Sequence, residues 1–276
     1  MEVLKGASSA DQAAHRPSAP ETPLPEGRQG GSFSHRVRLA HRWLGLIFGL
    51  SLLLSATSGV LHVVMTWTQS PPPRQGAGSP SLDVARVVLS PAEAVRAAAA
   101  HKGMQEKDIP VRGINLRMVG GKPWYVVLPA MPGAPQPPSY VNATDGTVST
   151  TEDAAFAREI AARFLNVAPA DDAKLKLGGF LTAFDSEYIV IFRILPVYKF
   201  TLDDGRGTRV YVSTATESVA RHTDNARQLE ANIFSYAHKL AFIPHKGWRD
   251  GILVALTGGM ALATLAGFAL FFVKRR

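Results

Sequence analysis

Cysteine is absent from the 276 residues of this chain. Disulfides, iron–sulfur clusters, thiolate zinc sites, thioether-attached haem and thiol catalysis are thereby excluded. Acidic side chains are scarce beside basic ones, with 22 Asp and Glu against 30 Lys and Arg and a formal net charge of +8. The excess charge crowds the two ends of the chain, which suits anionic lipid rather than nucleic acid, and no nucleic-acid motif is present. There is also no Gly-rich phosphate loop followed by Lys, no His-Glu-x-x-His and no Gly-x-Gly-x-x-Gly. A nicotinamide or flavin held by such a motif is therefore not the source of any electron this chain passes on.

Charge is missing altogether from residues 43–67, WLGLIFGLSLLLSATSGVLHVVMTW. A bilayer-crossing helix needs about 20 predominantly apolar residues, so this run predicts a first transmembrane helix. Residues 251–273 predict a second, followed by Lys274, Arg275 and Arg276. Arg28, Arg36, Arg38 and Arg42 precede the first run, and basic flanks of this kind put both termini in the cytoplasm and the intervening region outside. The expected location is a bacterial inner membrane with a periplasmic central domain. Trp43, Trp67 and Trp248 stand at the predicted water boundaries as interfacial anchors. The first run starts too late and is too long for a cleaved signal peptide. Residues 1–34, rich in Ala, Pro, Ser and Gly, read as a disordered cytoplasmic tail.

Between the spans, residues 70–80 form a Pro/Gly linker. Ser90, Pro91 and Glu93 open a helix that Gly103 ends, and strands are expected at 124–128 and 140–148. Ala155, Phe156, Ile160 and Phe164 mark one apolar stripe of a helix over 152–165. β-rich runs follow at 188–195 and 197–202, then a turn at 203–207 and a strand at 208–213. Residues 211–219 match 140–148 in length, Tyr, Val and final Val. We therefore expect two copies of one module, 82–148 and 152–225, forming an α+β domain, with an interfacial helix over 228–245 before the second span.

The run LAHRWLGLIFGLSLLLSATSGVLHVV, the segment FSYAHKLAF and the two Tyr-to-Val strand turns resemble the PepSY-associated transmembrane family. The family turn carries an acid and Thr-Gly; here Asn142 and Ser213 replace the acid, and Asp145-Gly146 and Thr216-Glu217 take the Thr-Gly place. The fold so implied is a membrane protein with two transmembrane α-helices flanking an extracytoplasmic α+β domain of two PepSY-like modules. The resemblance implies membrane proteins linked to iron and siderophore uptake, some of which reduce ferric complexes. It equally implies modules that bind or restrain extracytoplasmic proteins, peptidases among them.

Ionisable groups inside a span need partners, which makes His62 the first candidate. His62 and His238 fall on the same outer side, where two neutral imidazoles can take a b-type haem iron, and either can instead make a structural hydrogen bond or handle a proton. His41 is a further ligand candidate at the cytoplasmic edge, with no matching histidine near it. Small residues at Gly45/Gly49, Ser51/Ser55/Gly59 and Gly259/Ala263/Gly267 leave room for a macrocycle or for plain helix packing. Two spans enclose a haem poorly, so a homodimer supplying four is expected with it. Asp171, Asp172, Asp203 and Asp204 read as turn acids, and His245 as a loop residue. His15, His35, His101 and His222 read as solvated. Two functions remain: haem-b electron transfer to a ferric siderophore, as a membrane-bound ferric reductase component, or a membrane-anchored module that binds periplasmic proteins without a cofactor.

Overall fold

The computed structural model describes residues 30–73, 80–130 and 137–273. The expected tail lies outside the described residues as far as residue 29, while the backbone of residues 30–34 is already helical. The chain divides into two bodies, one of residues up to Leu50 together with those from Val254 onward, the other of Ser51–Leu253.

Helix α1 (Gly30–Thr68) and helix α5 (Lys246–Val273) are long and apolar enough to cross a membrane. They flank an α+β region with two antiparallel sheets. In the first body, α1 and α5 meet where rings fill the space left by glycines. A Cβ at Gly259 would clash with the Phe48 ring, and one at Gly267 would come within 3.1 Å of the His41 ring. The stripe at 259, 263 and 267 is thus occupied by packing within the chain. Gly45 has nothing within 4 Å of where its Cβ would be, and the same holds for Gly49.

In the second body each sheet is preceded by its helix. Helix α2 (Pro91–His101) begins as its sequence predicts: Ser90 Oγ accepts from Glu93 N, Glu93 Oε2 accepts from Ser90 N at 2.7 Å, and Pro91 takes the first turn. Strands β1 (Val111–Val119), β2 (Lys122–Pro129), β3 (Ser139–Asn142) and β4 (Val148–Ser149) form the first sheet in sequential order. Helix α3 (Glu152–Leu165) leads into the second sheet, β5 (Leu175–Leu181), β6 (Val197–Leu202), β7 (Thr208–Ser213) and β8 (Ser218–Thr223). Helix α4 (Asn225–Lys239) follows, shorter at its end than the expected interfacial helix because Leu240 turns left-handed at φ 50°.

The core explains why two modules make one body. Ala94 and Ala98 of α2 press on one face of the first sheet through Tyr125, Val127 and Val141. The opposite face, with Trp124, Val126 and Tyr140, packs on α3, and α3 also packs on Tyr198, Phe200, Val210 and Val212 of the second sheet. Helix α3 is therefore apolar on two sides. Ala157 and Ala161 join Phe156, Ile160 and Phe164 as buried positions, where a surface helix would bury a single stripe. Polar ties cross the same junction. Arg117, on β1, donates to Thr214 O at 3.0 Å, pairs with Glu217 at 3.2 Å and lies over the Phe156 ring at 4.8 Å. Burial raises the Asp153 carboxyl, although Tyr140 and Tyr198 donate to it.

Two differences from the sequence reading concern strands. β1 and β5, the first strand of each sheet, carry mixed polar and glycine-containing sequences and went unpredicted. Residues 188–195, rich in β-branched types, are not a strand. They belong to a strap, residues 182–196, laid over the free face of the second sheet, where Tyr188 stacks on Tyr211 at 4.6 Å and on Phe192 at 5.2 Å. That face corresponds to the one α3 covers on the first sheet. Helix α4, which follows the second sheet as α3 follows the first, packs on α1 instead, and the aliphatic and aromatic run covers the face.

Candidate functional site

The end of α1 carries Ser55, Ser58, His62 and Thr66, with Gln69 one residue beyond it, at steps of 3, 4, 4 and 3, which puts them on one face. Helix α4 offers Glu230, Phe234 and His238 at steps of 4. Asp224 fixes the start of α4 by accepting from Arg227 N at 2.8 Å, and Arg227 in turn donates to Ser70 O just beyond α1. These anchors bring the two faces together.

The partner that His62 requires is Glu230. His62 Nδ1 lies 2.7 Å from Glu230 Oε1 and, facing a carboxylate, is the donor. Thr66 Oγ1 lies 3.0 Å from the same oxygen and shares its one proton between it and His62 O at 2.8 Å, and Gln69 donates to Oε2. The Glu230 side chain is only 10% exposed, so its oxygens depend on these donors in place of water. His238 Nδ1 lies 3.3 Å from both Ser55 Oγ and Ser58 Oγ. Since the Ser58 hydroxyl donates to Ser55 O at 2.9 Å, its oxygen is left to accept from His238. Phe234 touches both imidazoles, tilted against His62 with ring centroids 4.9 Å apart and stacked on His238 at 4.6 Å.

This arrangement can be tested against haem. Ligation of one iron by both histidines needs two ring nitrogens about 4 Å apart on opposite faces of the macrocycle. Each imidazole hydrogen-bonds through Nδ1, so Nε2 is the nitrogen either would offer an iron, and the Phe234 ring lies against both imidazoles. Among the described residues no group of three or more His, Asp and Glu is placed to hold a metal ion.

The remaining histidines have local roles. His41 Nδ1 donates to Ala263 O at 2.9 Å, a helix-to-helix hydrogen bond between α1 and α5 in the first body. His245 accepts from Trp248 N at 3.3 Å and so caps α5. His222 is half-buried beside Phe164 and not solvated; burial lowers its pKa. His35 and His101 are exposed, and His15 lies outside the described residues. The turn acids are engaged locally: Asp171 with Lys174, Asp172 with Arg158, Asp203 with Lys176, and Asp204 with Arg206 and Thr208.

Glu230, Phe234, Ser58, Thr66 and Gln69 escaped the sequence reading. Their signal was periodic: a polar stripe inside an apolar helix, opposite an acid eight residues before His238. In comparisons with protein-family models, with curated proteins and with solved structures, nothing matches this chain.

Proposed function

We propose that the chain is a membrane-anchored tandem module that binds an extracytoplasmic protein or peptide without a cofactor of its own. In this reading α1 and α5 span the inner membrane, both termini are cytoplasmic, and the two α+β modules are PepSY-like and periplasmic. The observation that carries it is the seam of α4 on α1, in which Glu230 holds His62, Ser55 and Ser58 hold His238, and Phe234 touches both imidazoles. Both imidazoles fasten α4 to the end of α1 that belongs to the body of Ser51–Leu253, and that fastening gives the modules a fixed stance on this end of the helix. A module that holds a partner near a membrane needs such a stance more than it needs a redox centre. The shared helix α3 supports the same reading, because it makes the two modules one rigid binding body.

The absence of cysteine makes the topology directly testable. Single-cysteine variants Lys107→Cys and His35→Cys are exposed to a membrane-impermeant maleimide in intact spheroplasts. Labelling of position 107 alone, with position 35 reached only after lysis, supports the reading. Labelling of position 35 in intact spheroplasts, or of position 107 only after lysis, overturns it.

A further inference from the structure

The strap of residues 182–196 does more than cover its sheet. Its inward side is fully engaged. Tyr188 is buried between Tyr211 and Phe192, Asp185 accepts from the backbone of Glu187 and Tyr188, and Glu187 takes Arg209 Nε at 2.8 Å and Lys199 at 3.4 Å. Its outward side is apolar. Ile189, Val190 and Ile191 are 43%, 70% and 66% exposed, three consecutive aliphatic side chains in water. Arg193, next along the outward side, is exposed too. Of the two strap acids, Glu187 is half-buried against Arg209 and Lys199, while Asp185 is exposed and caps the backbone of Glu187 and Tyr188, so residues 189–193 themselves present aliphatic groups and a cation.

Where this tip lies follows from strand directions. The strap leaves β5 and enters β6 at one rim of the second sheet. The opposite rim holds the end of β6, the start of β7 and the end of β8, paired as Leu202 with Thr208 and Arg209 with Thr223. Helix α4 departs from that opposite rim, one residue after β8. The strap reaches across the sheet toward it: Glu187 meets Arg209, the second residue of β7, and Phe192 lies under the Arg221 guanidinium at 4.8 Å. Arg221 donates to Gln228 of α4 at 2.7 Å, and the adjacent Arg227 bonds Ser70, two residues past the end of α1. Trp67 and Gln69 mark the place where α1 passes from apolar to polar sequence. The strap that carries the exposed tip is thus linked through Arg221 and α4 to the outer end of α1.

We propose that residues 189–191 rest in the outer headgroup layer of the bilayer that holds α1, with Arg193 on anionic headgroups. Three adjacent aliphatic side chains in water mark an interaction surface, and the headgroup layer accepts short apolar insertions beside cationic groups such as Arg193. The contact would act as a second foot beside the α1–α4 seam, limiting how far the modules tilt over the membrane. The inference rests on the anchored reading, so its test must separate the two.

Single-cysteine variants Val190→Cys, Leu53→Cys and Lys107→Cys of the full chain are labelled with bimane and placed in liposomes of phosphatidylethanolamine and phosphatidylglycerol. Quenching by headgroup-level and acyl-chain nitroxide lipids is then measured. The proposal expects position 53 to be quenched by the acyl-chain probe, position 190 chiefly by the headgroup probe, and position 107 by neither. Adding Ile191→Asp, a change at a solvent-exposed site, should cut quenching at position 190 about two-fold or more while leaving position 53 unaltered. If position 53 is quenched but 190 behaves like 107, anchoring stands and the foot is refuted. If position 190 is shielded from aqueous iodide yet untouched by either lipid probe, the tip is covered by protein, a second copy or another partner, and the lipid contact is again refuted. If position 53 escapes quenching as well, anchoring itself fails and takes the proposal with it.

Discussion

Phe156→Ala tests whether α3 is the core of both modules. Phe156 is completely buried between the two sheets, under the guanidinium of Arg117. Removing a buried phenyl ring costs about 3–5 kcal/mol, the lost transfer energy and the residual cavity together. Loss of the contact with Arg117 adds to the same side, so about 4 kcal/mol is a fair central figure. For a body of this size that corresponds to a fall in melting temperature of about 8–16 °C. The assay is hydrogen exchange on a fragment of residues 82–225, in which Trp124 is the single tryptophan and reports unfolding by fluorescence. If α3 serves both sheets, amides of β2 and β7 lose protection together and by the same free energy. The conservative control Val88→Ala, at an exposed side chain, should change stability by less than about 0.5 kcal/mol. The reasoning is refuted if only β6 and β7 become labile while β2 keeps its protection, since the modules would then unfold separately.

Three other outcomes follow from particular contacts. Glu230→Ala removes the acceptor shared by His62, Thr66 and Gln69, and exchange of α4 amides should quicken by the equivalent of about 1–3 kcal/mol, with Glu230→Gln milder; equal effects would contradict a carboxylate-centred seam. Glu217 adopts φ 53°, where glycine is intrinsically better by about 1 kcal/mol, yet Glu217→Gly should lower thermal stability because it strips the nearly buried Arg117 of its acid. A higher melting temperature would show that backbone strain outweighs the ion pair. Burial alone would raise the Asp204 carboxyl, but hydrogen bonds from Thr208 and Arg206 hold it down to about 2. Its folded pKa lies below the unfolded value, so the stability it contributes is present above about pH 4 and is lost as pH falls toward 2; at neutral pH Asp204→Asn should cost about 2 kcal/mol and flatten urea titrations across that acid range.

Much of the fold was legible where local chemistry and periodicity agree. The capping box at Ser90 and Glu93, the turn at 203–207 and the matching of 140–148 with 211–219 all correspond to observed elements. At that match, Gly146 and Glu217 both have positive φ, so the second copy keeps the turn geometry without its glycine. What stayed hidden depends on tertiary context. β1 and β5 pair only because β2 and β6 are present, and their own residues lack strong alternation. The run from Tyr188 looks like a strand, but its aromatic rings are used for covering a sheet face, which no periodicity announces. The site was half visible. His62 and His238 stood out as ionisable groups in apolar surroundings, whereas Glu230 sits in an amphipathic helix where an acid is ordinary, and Phe234 looks like any core residue until its neighbours on both sides are known.

In the reading proposed here, His62 and His238 fasten α4 to α1 and do not share an iron. The direct measurement is a reduced-minus-oxidised visible spectrum of the detergent-purified full chain, expressed with ample haem, beside folded His62→Ala and His238→Ala variants. No b-type bands that depend on both histidines are expected. Such bands in the wild type, lost in each variant, would show that the two imidazoles ligate one haem and would overturn the cofactor-free reading.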